Sequence, residues 1–271
     1  MKYNKWLTAP YLFWSIIFVL TPLGMIFYYG LTDKTGTFTI ENVVSMFSHV
    51  HFKALMLSLL LSLISTLICI LLAYPLAMIL SFSNMKKSSL IAILFILPMW
   101  MNFLLRTLAW QTLLEKTGVI NQVLNFLNLP NINIINTPYA IVLGMVYNFL
   151  PFMILPIYNN LSKIDTNIIN AAKDLGANSI QTFTKIILPL SIPGVLSGVT
   201  MVFVPALTTF VISNLLGGSK ILLIGNIIEQ EFTQASNWHL GSGLSIVLMI
   251  FIVISMIIST ITDKDGEANS L

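Results

Sequence analysis

The chain has 271 residues, of which 56% are hydrophobic and 8% charged, with a formal net charge of +3. A soluble domain carries about a quarter charged residues, so this surface cannot be covered in water, and a bilayer is the expected solvent for much of the chain. The small net charge gives no basis for nucleic-acid binding, and the single cysteine, Cys69, excludes an internal disulfide.

Lys2 and Lys5 open the chain, and an apolar run follows from about Ala9 to Leu31. It exceeds the core of a cleavable signal, about 7–15 residues, and no small-x-small site follows it, so it reads as a retained span. A span needs roughly 20 mostly apolar residues. That rule predicts about six: Pro10–Gly30, Ala54–Phe82, Leu90–Leu113, Pro138–Leu161, Pro189–Leu216 and Gly241–Thr262. Pro22, Pro75, Pro98, Pro151 and Pro205 lie inside them. In a membrane bundle, neighbouring helices and waters satisfy the carbonyls that proline frees. The expected fold is therefore all-α, a polytopic membrane helix bundle.

Orientation follows from the lysines. With the N-terminus inside, the cytoplasmic side holds Lys2, Lys5, Lys86, Lys87, Lys163, Lys173, Lys185 and Lys264, and the outer side holds Lys34, Lys53, Lys116 and Lys220. Both termini are expected in the cytoplasm of a multi-pass cell-membrane protein. The outer segments Thr32–Lys53, Leu114–Thr137 and roughly Gly217–Leu240 are polar, turn-rich and too short for a separate enzyme domain. The chain divides into residues 1–53 (first span and outer loop), 54–262 (core) and 263–271 (a charged cytoplasmic tail).

Arg106 is the sole arginine and falls inside the third expected span. It sits about 16 residues from the inner end, or ~24 Å along a helix, in the outer part of the membrane. It could snorkel to the interface or face an aqueous path. Asn102, Arg106 and Trp110 share a face at i, i+4 spacing, and that stripe suits the lining of a path. Glu115 and Glu231 are candidate partners for Arg106. Glu229 and Glu231 could bind ammonium groups, and Trp100, Trp110 or Trp238 could offer cation–π faces; the favoured reading of the glutamates is a solvated outer loop. His49 and His51 flank Val50 with no acidic or thiol neighbour, so no metal is expected. Gly217–Lys220 lacks the phosphate-loop pattern, and there is no nucleophile elbow or metalloprotease His-Glu motif. Neither a bound cofactor nor a catalytic residue is expected in this chain.

Between the fourth and fifth expected spans the sequence reads NAAKDLGANSIQTFTKIILPLSIPG, residues 170–194. Asp165 can cap a helix running to Leu175, and Gly176 suits the left-handed position that closes it. Asn178 and Gln181 have capping-box spacing for a second helix. That helix should stop near Leu188, because Pro189 disfavours helical geometry before it. Ile168, Ala171, Ala172 and Leu175 share one face of the first helix, and Ile180, Phe183 and Ile187 one face of the second.

This stretch resembles the cytoplasmic loop of permease subunits of binding-protein-dependent ABC importers, whose motif runs Glu-Ala-Ala, three residues, Gly, then about nine residues to Ile-x-Leu-Pro. Ala171, Ala172, Gly176, Ile186, Leu188 and Pro189 match, and Asn170 stands in the glutamate place. The segment GGSKILLIGNIIEQEF at 217–232 with Trp238, LPMWMNFLLRTLAW at 97–110 and FTIENVVSMF at 38–47 are similar to spermidine/putrescine permeases of the first subunit type. The resemblance implies a type I ABC importer permease fold with cytoplasmic coupling helices. It implies a heteromeric complex with a second permease, a cytoplasmic ATPase dimer that carries the ATP and magnesium, and an extracytoplasmic substrate-binding protein. It implies ATPase docking through Asn170, Ala171, Ala172, Asp174, Gly176, Ala177, Phe183, Leu188 and Pro189, and a polyamine cargo. Opines, thiamine, ferric iron and phosphonates are rival cargoes within that class. A secondary carrier or channel is the rival outside it.

Overall fold

The computed structural model describes residues 9–82 and 97–268, with side-chain environments described for 10–82, 99–218 and 220–257. Lys2, Lys5, Lys86, Lys87 and the first part of the expected third span lie outside the described residues. Among those described, the secondary structure is helical, with one isolated antiparallel bridge between Thr32 and Phe38. Five helices among the described residues are long and apolar enough to cross a membrane: α1 (Pro10–Gly30), α3 (His49–Phe82), α6 (Pro138–Leu161), α8 (Ser179–Thr208) and α11 (Trp238–Ala268, its apolar window ending at Ile257). Between them lie shorter helices: α2 (Glu41–Val44), α4 (Phe103–Leu114), α5 (Val119–Phe126), α7 (Thr166–Asp174), α9 (Val211–Leu216) and α10 (Ile224–Thr233).

The core is built on α6. It packs along α3 on one side and α8 on the other, and α8 in turn contacts α3 and α11. Met145, Met153, Ile154, Ile157 and Leu161 of α6 are fully or almost fully buried. The α6–α8 approach is made possible by glycine. A Cβ at Gly194 would lie 2.6 Å from the Cβ of Asn160, and one at Gly198 would lie 2.6 Å from the Sδ of Met153. These glycines stand four residues apart on α8, the small-xxx-small spacing that lets membrane helices approach backbone to backbone. A second cluster, around Met46, Leu55, Leu207, Ile224 and Leu244, seats α10 and α11 against α3. Helix α1 packs on α11 through its second half, while its first half is exposed on all sides.

Two π turns share a cause. Ile16–Leu20 precedes Pro22, and Phe183–Ile187 precedes Pro189. A proline ring meets the carbonyl four residues earlier, which is Phe18 in the first case and Lys185 in the second, both inside the widened turn. The widening lets the helix pass its proline. The second helix of the predicted pair therefore does not stop near Leu188. It runs unbroken into the following span as α8.

Other expectations are corrected too. The span expected over Pro189–Leu216 breaks at Thr209, whose ψ of 138° is extended, and α9 follows as a separate short helix. Asn226, buried at the start of α10, fills the break. Its Nδ2 donates to the carbonyl of Phe210 (3.1 Å) and to Oδ1 of Asn214 (2.6 Å), and its Oδ1 accepts from the Ser213 hydroxyl and the Leu223 N–H. The turn-rich outer segments also hold short helices, α5 and α10. Helix α3 begins at His49, earlier than the expected Ala54, and α11 is helical through Ala268, into the expected tail.

Candidate functional site: the helical hairpin between α6 and α8

Helix α7 and the start of α8 form a hairpin at one end of the bundle. Local chemistry fixes it. The Asp165 carboxylate accepts from the Asn167 N–H at 2.9 Å and starts α7. Gly176 closes it at φ +85°, in the left-handed region, and the N–H of Ala177 returns to the Ala172 carbonyl at 3.0 Å. Asn178 and Gln181 then form the reciprocal capping box: Gln181 N–H donates to Asn178 Oδ1 at 2.8 Å, and Asn178 N–H to Gln181 Oε1 at 2.9 Å. The capped α8 start continues through the π turn as a single rod of 30 residues.

One side of the hairpin is anchored. Phe183 meets Tyr74 of α3 edge to face at 5.8 Å, and the Tyr74 hydroxyl lies 2.7 Å from the Ser191 hydroxyl of α8. Ser191 donates in turn to the Leu188 carbonyl. Sequence reasoning missed Tyr74 and Ser191; a tyrosine directly before Pro75 in an apolar run is the signal that points to the first. Between the end of α3 and the hairpin opens a cavity of about 620 Å³, lined by Met78, Phe82, Asn170, Lys173, Thr182 and Phe183.

The other side is bare. Ile168 is 48% exposed, Ile180 74% and Leu175 89%. The residues predicted to share a face are therefore split: Ala172 and Ile187 turn inward, and Leu175 and Ile180 turn out. Asn170, Ala171, Asp174, Leu188 and Pro189 are also exposed, and Ala177 is half-buried. Asn170, in the place of the family's glutamate, faces the cavity.

The residues expected along a path are spread more widely. Trp100 is exposed, and Asn102 caps α4, accepting from the N–H groups of Leu104 and Leu105. Arg106 turns into the chain at 7% exposure. Among the described residues, neither its Nε nor its Nη1 has a hydrogen-bond partner, and neither Glu115 nor Glu231 pairs with it. Trp110 stacks edge-on against Tyr147 at 5.2 Å. Glu229 and Glu231 are half-buried on α10, where Glu229 accepts from the Thr233 hydroxyl. Trp238 packs on Phe232 at 5.5 Å and Tyr29 at 6.2 Å. His51 is tied to the Ser45 carbonyl at 2.8 Å, while His49 is exposed. No cluster of metal-ligating side chains occurs among the described residues.

Comparison with known proteins places this arrangement. The spermidine/putrescine transport system permease protein PotB of Haemophilus influenzae is 37% identical over 262 residues, covering 93% of this chain and 91% of that protein. PotB of Escherichia coli K12 is 36% identical, covering 90% and 92%. A PotB homolog of Mycoplasma genitalium is 32% identical, covering 88% and 82%. Among solved structures, a bacterial alginate ABC transporter in complex with its alginate pentasaccharide-bound periplasmic protein matches with a TM-score of 0.78 at 16% identity, over 93% of this chain and 91% of that one. The MetNI methionine ABC transporter, in inward-facing form, matches at 0.57 and 16%, over 79% and 95%. At these identities the solved structures speak for the fold, which is that of a type I importer permease. The family model described as binding-protein-dependent transport system inner membrane component matches residues 1–264, and this chain belongs to that family of multi-pass membrane subunits.

Proposed function

We propose that this chain is one of two permease subunits of an ATP-driven importer that moves polyamines, spermidine or putrescine, into the cytoplasm. The supporting relatives are the curated polyamine permeases that match along nine-tenths of the chain. In this account the hairpin end faces the cytoplasm, both termini lie on that side, and the opposite end receives cargo from an extracytoplasmic binding protein. ATP and magnesium are bound by a partner ATPase dimer and not by this chain.

One observation carries the mechanical part: an apolar knob, Leu175 with Ile180, left bare on a hairpin whose other side is locked to the bundle. Apolar side chains gathered on a water-facing tip mark a contact surface. The hairpin docks in the ATPase, with Asn170, Ala171, Ala172, Asp174, Gly176, Ala177, Leu188 and Pro189 at or beside the contact and Phe183 behind it. When the ATPase closes on nucleotide, the docked α8 start moves. The unbroken rod carries that motion across the membrane, and Tyr74 passes it to α3. Access then alternates between the two ends. Along the path, Glu229 and Glu231 offer carboxylates, and Trp100, Trp110 and Trp238 offer ring faces to ammonium groups. Asn102 caps the start of α4 beside that path, and Arg106 lies buried on the same helix.

The experiment is uptake of labelled spermidine and putrescine into vesicles holding the complete complex. ATP-dependent accumulation that requires the binding protein is expected. Transport of another solute class with no polyamine uptake would overturn the cargo assignment. Leu175→Glu with Ile180→Glu is expected to abolish uptake and release the ATPase during purification, while the variant still reaches the membrane. Full uptake by that variant would refute the docking role.

A further inference from the structure

At the end of the bundle opposite the hairpin, a pocket of about 570 Å³ opens between α3, the entry to α6 and the loop before α10. His49 and Lys53, one turn apart on α3, line one wall, and Lys220 comes from the loop. Leu57 and Ile227 also line it, and Thr137 stands at the start of α6. All three basic side chains are exposed. No aspartate or glutamate lines the pocket, and among the described residues neither lysine is held in an ion pair. Helices α3 and α6 both begin at its rim, at His49 and Pro138, so the positive ends of two long helices add to the lysine charges.

This field is opposite in sign to what an ammonium cargo needs. A pocket with positive side chains, positive helix ends and no counter-charge takes an oxyanion, and a polyamine is not its ligand. Under the proposed orientation it faces the extracytoplasmic receptor. A protein that carries polyamines through water must hold the ammonium groups with carboxylates, because charge-assisted hydrogen bonds are the strong ones available to it. Once the ammonium groups depart, those carboxylates are left without cations.

We propose that Lys53 and Lys220, with His49 beside them, form the docking pocket for receptor carboxylates, and that the two lysine cations replace the cargo's ammonium groups as the cargo leaves. This rests on the polyamine reading above. Docking and release are then linked: the receptor's affinity for the permease rises as its affinity for cargo falls, since the same carboxylates serve both.

The test uses the complete complex in nanodiscs of zwitterionic lipid with cargo-loaded receptor. Receptor affinity is measured across a range of ionic strength, together with release of labelled spermidine from the receptor. Three forms are compared: wild type, Lys53→Gln with Lys220→Gln, and Lys53→Arg with Lys220→Arg. The glutamine variant is expected to bind roughly tenfold more weakly at low salt, with a flatter salt dependence, and to release cargo more slowly; arginine should retain both properties. Equal affinity and equal salt dependence in the glutamine variant would overturn the proposal. So would a pocket that responds to added anionic lipid while receptor affinity stays the same in all three forms, since its ligand would then be a lipid headgroup. If the wild-type complex binds no receptor at all, the importer reading itself fails, which is a different result from a wild type that binds and a variant that binds equally well.

Discussion

Gly176 holds the hairpin turn at φ +85°, and a Cβ placed there would meet nothing within 4 Å. Its requirement is therefore conformational and not steric. Gly176→Ala should cost about 1 kcal/mol of local stability and leave uptake reduced but present. Gly176→Asp, which adds a charge beside the bare Leu175, should abolish uptake at normal expression. The capping box makes a parallel case. Asn178→Ala removes one of two reciprocal bonds, a loss of about 1 kcal/mol, and should show as faster amide exchange at Gln181 and Thr182. Asp33 is a residue-scale feature at the other end. Its carboxylate accepts from the Thr35 and Thr37 hydroxyls and backbone N–H groups, which hold its pKa well below the usual carboxylate range. A depressed folded-state pKa contributes stability that is present above the ordinary carboxylate pKa and is lost as pH falls through the lowered value. The turn should keep its amide protection from pH 7 to pH 5, by roughly the same margin, and lose it in Asp33→Asn. Asp165, Gly176, Asn178 and Gln181 were legible in the sequence because caps and left-handed turns act within three or four residues. Arg106 was not. Its spacing with Asn102 and Trp110 indicated a shared face along a path, but Asn102 became the cap of α4 and Arg106 turned inward, a choice made by distant packing.

At the scale of elements, the decisive feature is that α8 does not end where its proline advised. The π turn over Phe183–Ile187 absorbs Pro189, so cap, turn and span form one body. A rule based on the residue before proline cannot anticipate this, because the widened turn is held by Phe183 on Tyr74 and Ser191 on Tyr74, contacts more than a hundred residues apart in sequence. Tyr74→Phe keeps the ring contact and loses the hydroxyl bond; it is expected to leave ATPase docking intact and to reduce uptake per ATP hydrolysed, measured side by side. The α6–α8 crossing makes a second prediction. Gly198→Val forces a side chain into the 2.6 Å gap before Met153 and should destabilise the bundle by about 1–3 kcal/mol, seen as a lower thermal midpoint in detergent. The break at Thr209 belongs here as well. The sequence reading carried the span through Pro205 to Leu216, and the buried Asn226 that satisfies the opened backbone comes from the next element, beyond the reach of a span-finding rule.

For the whole molecule, composition alone pointed to the solvent and the class, and the spans over Pro10–Gly30 and Pro138–Leu161 coincide with helices α1 and α6. The bundle keeps much of its apolar surface outside: no residue of the α1 window is buried, and in α6 just over half are. The molecule has a rigid crossing with a bare apolar tip at one end and a basic pocket at the other. The central claim is that the tip is gripped by a nucleotide-driven partner. Cysteine at position 175 tests it most directly, because the native Cys69 is buried and does not compete. In the complete complex, Leu175→Cys should cross-link to the ATPase through a short thiol reagent, with a yield that changes when ATP is added. A residue 175 that labels freely with a water-soluble maleimide in the assembled complex, and forms no cross-link with or without ATP, would contradict the account.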